Sequence, residues 1–118
     1  METSPDPAVG AVAAAVRAHP EWVSGTRRDE AALLRAVPGA VGKAGAEACY
    51  AVALPDGRAV ALKIEDGGAR ARPVVMAAVL QRLGVLAEPG VDADAVAETG
   101  RRDLLGGGRP VGSVRAVP

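Results

Sequence analysis

A lysine at the start of a strand, followed by small residues, can exchange a proton with whatever approaches it. Lys43-Ala44-Gly45 is such a triplet, and Ala46-Glu47 follows. An amine placed there can take a proton from a hydroxyl nucleophile or orient it. Gly45 leaves the backbone open to a ligand, and Glu47 brings a carboxylate to the same stretch. Alone, the triplet is a weak signal whose plain reading is a solvated lysine. Glu47 also has two readings: a substrate contact, or a tie to Arg28 that holds the loop. His19 before Pro20 reads as a helix-end residue with no evident acidic partner. Lys63 reads as a solvated strand residue and Asp66-Gly67 as turn chemistry. Cys49 reads as a small apolar residue in a strand, with no neighbouring His to make it a nucleophile. Arg70 and Arg72 read as a solvated first helical turn.

These residues need a hairpin to position them. Residues 40–44 lead into strands over 47–54 and 58–65, and Pro55-Asp56-Gly57 supplies the turn between the two arms. Alternation places Tyr50, Val52 and Leu54 on one face and Cys49, Ala51 and Ala53 on the other. On the return arm Val60, Leu62 and Ile64 oppose Ala59, Ala61 and Lys63. One face is bulky and the other small. Residues 1–7 read as a disordered lead-in. A helix from Pro7 presents Val9, Val12, Ala13 and Val16 and ends at His19-Pro20. Trp22 and Val23 are expected to anchor the next loop in the core. Thr26 to Asp29 has capping-box spacing, ahead of a helix that carries Leu33, Leu34 and Val37 and stops at Pro38-Gly39. Arg72-Pro73 opens the best helix, with Met76, Val79, Leu80 and Leu83 as its stripe and Gly84 as its stop. Residues 91–102 give a weaker helical pattern. Residues 106–110 read as a Gly-rich flexible link, and 111–117 as a last short strand. The expected fold class is α/β of the α+β type: an antiparallel sheet with flanking helices.

Composition sets the outer limits. The 118 residues carry 14 basic and 14 acidic side chains, one Cys, one Trp, one Tyr and no Phe. Nothing suggests the basic stripe of a nucleic-acid binder. One cysteine cannot make an internal disulfide or a cysteine-rich zinc site. No apolar run approaches the roughly 20 residues of a membrane span. The acidic, proline-broken start is no signal peptide, so a cytoplasmic chain is the default. Alanines and valines bury little area each, so the core is thin for its length and suggests packing against something larger.

Several motifs occur together and in order. They are Arg17-Ala18-His19-Pro20-Glu21, then Val23, Gly25-Thr26 and Arg28, then Pro38-Gly39. Lys43-x-Gly45-Ala46-Glu47 follows, and last Ala61-Leu62-Lys63-Ile64-Glu65-Asp66-Gly67. The set resembles the rhizobial-type (asparaginase II-like) L-asparaginase family over about residues 8–84, with a looser fit in the tail. The resemblance implies a fold similar to serine β-lactamases, in which a Lys-Thr-Gly triplet leads the active-site strand. It also implies hydrolysis of L-asparagine to L-aspartate and ammonia by serine nucleophiles paired with lysines, one pair as Ser-x-x-Lys. Lys43 is the catalytic position that maps, with Gly45 and Glu47 as substrate-binding neighbours. Zinc in the family is bound by cysteines and a lysine that lie upstream of the matching segment, so no metal ligand carries over.

The chain departs from the family in three places. Ser4, Ser24 and Ser113 have Pro7, Arg27 and Ala116 three residues on, so there is no Ser-x-x-Lys. Gly25-Thr26-Arg27-Arg28 replaces Gly-Thr-Gly-Arg. Ala48 stands where the family has Gly after the Glu, which changes what the turn can adopt. The chain therefore reads as the C-terminal part of an asparaginase, inactive alone, over 8–105 with a tail of 106–118. It would work with a complementing N-terminal part or as a homodimer. The other reading is a non-catalytic remnant or small interaction module.

Overall fold

The computed structural model describes residues 6–117. The lead-in expected over residues 1–7 lies outside the described residues up to residue 5. Asp6 caps helix α1 (Pro7–Ala18) by accepting from the Ala8 amide at 2.8 Å. Helices α2 (Pro20–Ser24) and α3 (Asp29–Ala36) follow. Strands β1 (Val41–Ala44), β2 (Cys49–Ala53) and β3 (Ala59–Lys63) form one antiparallel sheet in that order. Then come α4 (Arg72–Arg82), α5 (Ala93–Thr99) and a second antiparallel pair, β4 (Arg102–Gly106) with β5 (Arg109–Val114). The fold is α+β, as the alternation and the helical stripes require.

All the helical cover lies on the bulky face of the three-stranded sheet. Helix α3 packs over β1, and α4 over β2 and β3. Tyr50, Val52 and Leu54 point into this layer and meet Leu33, Leu34, Val37, Met76 and Leu80, all buried. Gly42 permits the close fit of β1 against both β2 and α3. A Cβ there would stand 3.0 Å from the Ala51 carbonyl oxygen on β2 and 3.4 Å from Leu34 Cδ2 on α3. Arg17 of α1 reaches across to donate to the Gly39 carbonyl at 3.0 Å, fixing the approach to β1. At the opposite end Arg58 ties the β2–β3 turn to the C-terminus of α4, donating to the Leu83 carbonyl at 2.8 Å.

Several expectations are corrected. Trp22 is 85 % exposed, because α2 is barely more than one turn and buries Pro20 instead. Val9 and Val12 are exposed too; α1 touches the core through Ala13 and Val16. No capping box forms, since α3 begins at Asp29 with Arg28 at its cap and no side-chain cap bond. The inward stripe of α4 runs through Val74, Met76, Ala77 and Leu80, and Leu83 is exposed. Residues 102–106 are strand rather than the end of a helix or a link. Gly107 and Gly108, with φ of 56° and 77°, both take the positive angles that a tight hairpin turn demands, so the glycines fold β4 back on β5.

The largest correction is Arg72, which is 4 % exposed rather than solvated. It lies between Asp29 Oδ1 at 2.6 Å and Glu30 Oε1 at 3.3 Å, with its guanidinium carbon 5.6 Å from the centre of the Tyr50 ring. The cluster joins the starts of α3 and α4 to β2. Burial raises the Tyr50 phenol well above its ordinary value, and the Asp29 and Glu30 carboxylates push the same way. An unfolded chain ionises its phenol near pH ~10 while the native chain keeps it neutral. The stability this contributes is intact below about pH 10 and is lost as pH rises further. Tyr50 is the single tyrosine. In an alkaline titration its phenolate absorbance is therefore expected to appear together with unfolding. An earlier, separate phenolate step at the ordinary value would show that the phenol is not buried among these charges.

Candidate functional site

The sheet face away from the helices is open. Register places Lys43, Ala51 and Ala61 in one row across the three strands, with Val41, Ala53 and Ala59 in the next. Cys49 pairs with Lys63 in the row on the other side of Lys43, where Gly45 donates its amide to the Cys49 carbonyl at 2.9 Å. Alanines make this face a shallow depression walled at one side by Lys43. Lys43, Cys49, Ala51, Ala61 and Lys63 are all exposed. The buried neighbours Gly42 and Ala44 hold the strand beneath Lys43 against the core.

The Nζ of Lys43 donates to the Ala44 carbonyl at 2.8 Å. That of Lys63 donates to the Glu47 and Ile64 carbonyls at 2.6 and 2.7 Å. Lys63 is therefore more than a solvated strand residue, since it clamps the loop that follows Lys43. Among the described residues neither lysine bonds a serine hydroxyl. Ser24 Oγ is buried without a partner among the described residues, and Ser113 on β5 accepts from Arg115.

The loop between β1 and β2 is strained. Glu47 and Ala48 take φ of 56° and 55°, consecutive left-handed residues with no glycine to ease them. Such outliers persist only when their surroundings hold them, and they gather at working sites. Here the Lys63 clamp and the Ile64 amide, bonded to the Ala48 carbonyl at 3.2 Å, do the holding. Ala48 is the position where the resembled family carries Gly, and its backbone angle explains that preference. The Glu47 side chain is exposed and does not tie to Arg28, which pairs with Glu30 instead. Gly45 has an extended backbone, and a Cβ there would make only ordinary contact with Cys49 at 3.5 Å. Its value to a site is space rather than backbone freedom. His19 sits 3.5 Å from Glu21 on the surface, an acidic partner that sequence spacing did not suggest.

Exchanging Glu47 for glycine removes left-handed strain without removing buried area. Glu47→Gly is expected to stabilise the fold by about 0.5–1 kcal/mol after the entropy cost of glycine. The urea midpoint should rise with unchanged slope, and a fall would show that the Glu47 side chain supports the loop.

Among the described residues no three His, Cys, Asp or Glu side chains converge. The zinc implied by the resemblance calls on several cysteines and a lysine, and Cys49 is the single cysteine in these residues, so they do not fit it. No helix among the described residues is long and apolar enough to cross a membrane.

The architecture is thus a small α+β domain that presents an amine on the uncovered face of an antiparallel sheet. A sequence model of the L-asparaginase II family matches residues 1–116, and the chain belongs to that family. No curated protein matches it.

Proposed function

We propose that this domain contributes the lysine-bearing sheet of an L-asparaginase, an amidohydrolase that converts L-asparagine to L-aspartate and ammonia. The observation that carries the reading is Lys43. It stands on an exposed, small-residue sheet face with a backbone carbonyl as its hydrogen-bond acceptor. A second body bearing a serine can lie flat on such a face without steric conflict, as in the β-lactamase-like arrangement. Lys43, as the neutral amine, then takes the serine proton as Oγ attacks the carboxamide carbon and gives it to the departing ammonia as the C–N bond breaks; water then cleaves the acyl-serine ester, which releases L-aspartate and restores the serine. The amide of Gly45 is bonded to Cys49, so Gly45 serves substrate by leaving room. In this reading the exposed carboxylate of Glu47 takes the α-ammonium of asparagine.

The serine comes from a complementing N-terminal part, because these 118 residues, in one copy or in two, hold no Ser-x-x-Lys. The second reading, a non-catalytic module, draws on the same fact and on the absence of any lysine–serine bond among the described residues. The two divide on an assay. The purified polypeptide alone is expected to release no ammonia from asparagine. Asparagine-dependent release by it alone, lost on Lys43→Ala, would overturn the need for a complementing serine.

A further inference from the structure

We propose that a cleft on the helical side of the sheet binds a phosphate-type oxyanion carried by a small molecule. Six of its lining residues are arginines: Arg27, Arg28, Arg70, Arg72, Arg101 and Arg102. The cleft encloses about 320 Å³, room for a diphosphate or a sugar phosphate. The whole chain is electrically neutral, so the fold itself gathers these cations.

The charges in and around the cleft are unevenly satisfied. Asp29 and Glu30 hold Arg72, and Glu30 also holds Arg28. At the rim Asp66 reaches Arg70 at 3.6 Å, and Glu98 and Asp103 reach Arg101 at 3.9 and 3.4 Å. Arg27 and Arg102 make no ion pair among the described residues. Guanidinium forks match phosphate and carboxylate oxygens two at a time, which makes the surplus pair a ready anion clamp.

Two buried atoms point the same way. Arg72 Nε lacks a hydrogen-bond acceptor among the described residues although its residue is 4 % exposed. A buried N–H is almost always satisfied, and a small shift of Arg72, which lines the cleft, would bring it to a ligand oxygen there. Asp29 Oδ2 is likewise buried without a donor, so the same ligand is expected to carry a hydroxyl or ammonium. Helices α3 and α4 both begin here, at Asp29 and Arg72, and neither has a side-chain cap bond. Their free amides add positive potential at the cleft. Tyr50, which packs on Arg72, and Lys43 alternate to opposite faces of the sheet. This site is therefore distinct from the amine face and does not depend on the asparaginase reading.

Isothermal titration calorimetry of the full chain with inorganic pyrophosphate, at low ionic strength, tests the assignment. Saturable binding is expected, weakened about tenfold or more in the Arg27→Ala/Arg102→Ala double variant. Arg109→Ala, which removes an exposed arginine on β5, is expected to bind as the parent does. Three results would each overturn the proposal: no saturable binding to the parent chain, equal weakening by Arg109→Ala, or binding of a mixed-sequence oligonucleotide in place of pyrophosphate.

Discussion

Lys43→Ala is expected to lower asparagine-dependent ammonia release by the assembled enzyme about 10²–10⁴-fold, the usual scale of a lost general base. The same substitution is expected to leave the fold alone. Lys43 is exposed, its one hydrogen bond among the described residues goes to the carbonyl of its neighbour, and the strand beneath it is held by Gly42 and Ala44. Stability should stay within about 0.5 kcal/mol of the parent in urea, as for ordinary surface changes. Lys43→Arg keeps the charge but not a removable proton, so it is expected to be as inactive as Lys43→Ala. An active Lys43→Arg would mean that the position supplies charge and no proton transfer.

Arg72→Ala carries the largest expected effect on folding, a loss of about 3–5 kcal/mol. Asp29 and Glu30 would remain, and Glu30 is 1 % exposed. Its other cation, Arg28, holds it at 3.4 Å from an exposed position and cannot replace a buried partner. A domain of this size would lose roughly 15 °C of melting temperature or more. The deficit is expected to narrow in acid. Burial works to raise the Glu30 carboxyl, but backbone bonds, Asp29, Arg28 and Arg72 outweigh it and hold the group below its ordinary value. The stability from Glu30 is therefore present above its unfolded value and is lost as pH falls through the lowered native one. Without Arg72 that contribution shrinks, so parent and variant converge as pH falls below the ordinary carboxylate range. Asp29 works against this, since burial and the neighbouring Glu30 carboxyl raise its own. The crossing is thus expected to be shallow. Melting curves of the two proteins across acid pH decide it, and a variant within about 1 kcal/mol of the parent would remove the cluster from any account of stability.

The parts of this molecule that were legible in the sequence are those set by local chemistry. The hairpin rests on alternation and on Asp56-Gly57, the end of α4 on Gly84, and the open amine face on a period of two. The strain at Ala48 was foreshadowed by the glycine that the resembled family places there. What escaped depends on residues far apart in the chain. Arg72 is buried only because Asp29 and Glu30, more than forty residues earlier, meet it at the start of α3. Nothing local distinguishes it from its exposed neighbour Arg70. The gathering of six arginines in one cleft is equally a product of packing, because basic and acidic residues are interspersed along the chain. Trp22 misled for the opposite reason: its size suggested a core anchor, but a helix as short as α2 has one inward position and Pro20 fills it.

The most direct test of the amine-face account is ammonia release from asparagine by the protein as isolated with its native companions from its source cells. Tagged parent and Lys43→Ala forms would be recovered side by side. The account predicts release by the parent preparation and at least a hundredfold less by Lys43→Ala, with the companions still bound. Equal release by both would contradict it, and so would no release from a parent preparation whose companions include the serine-bearing part.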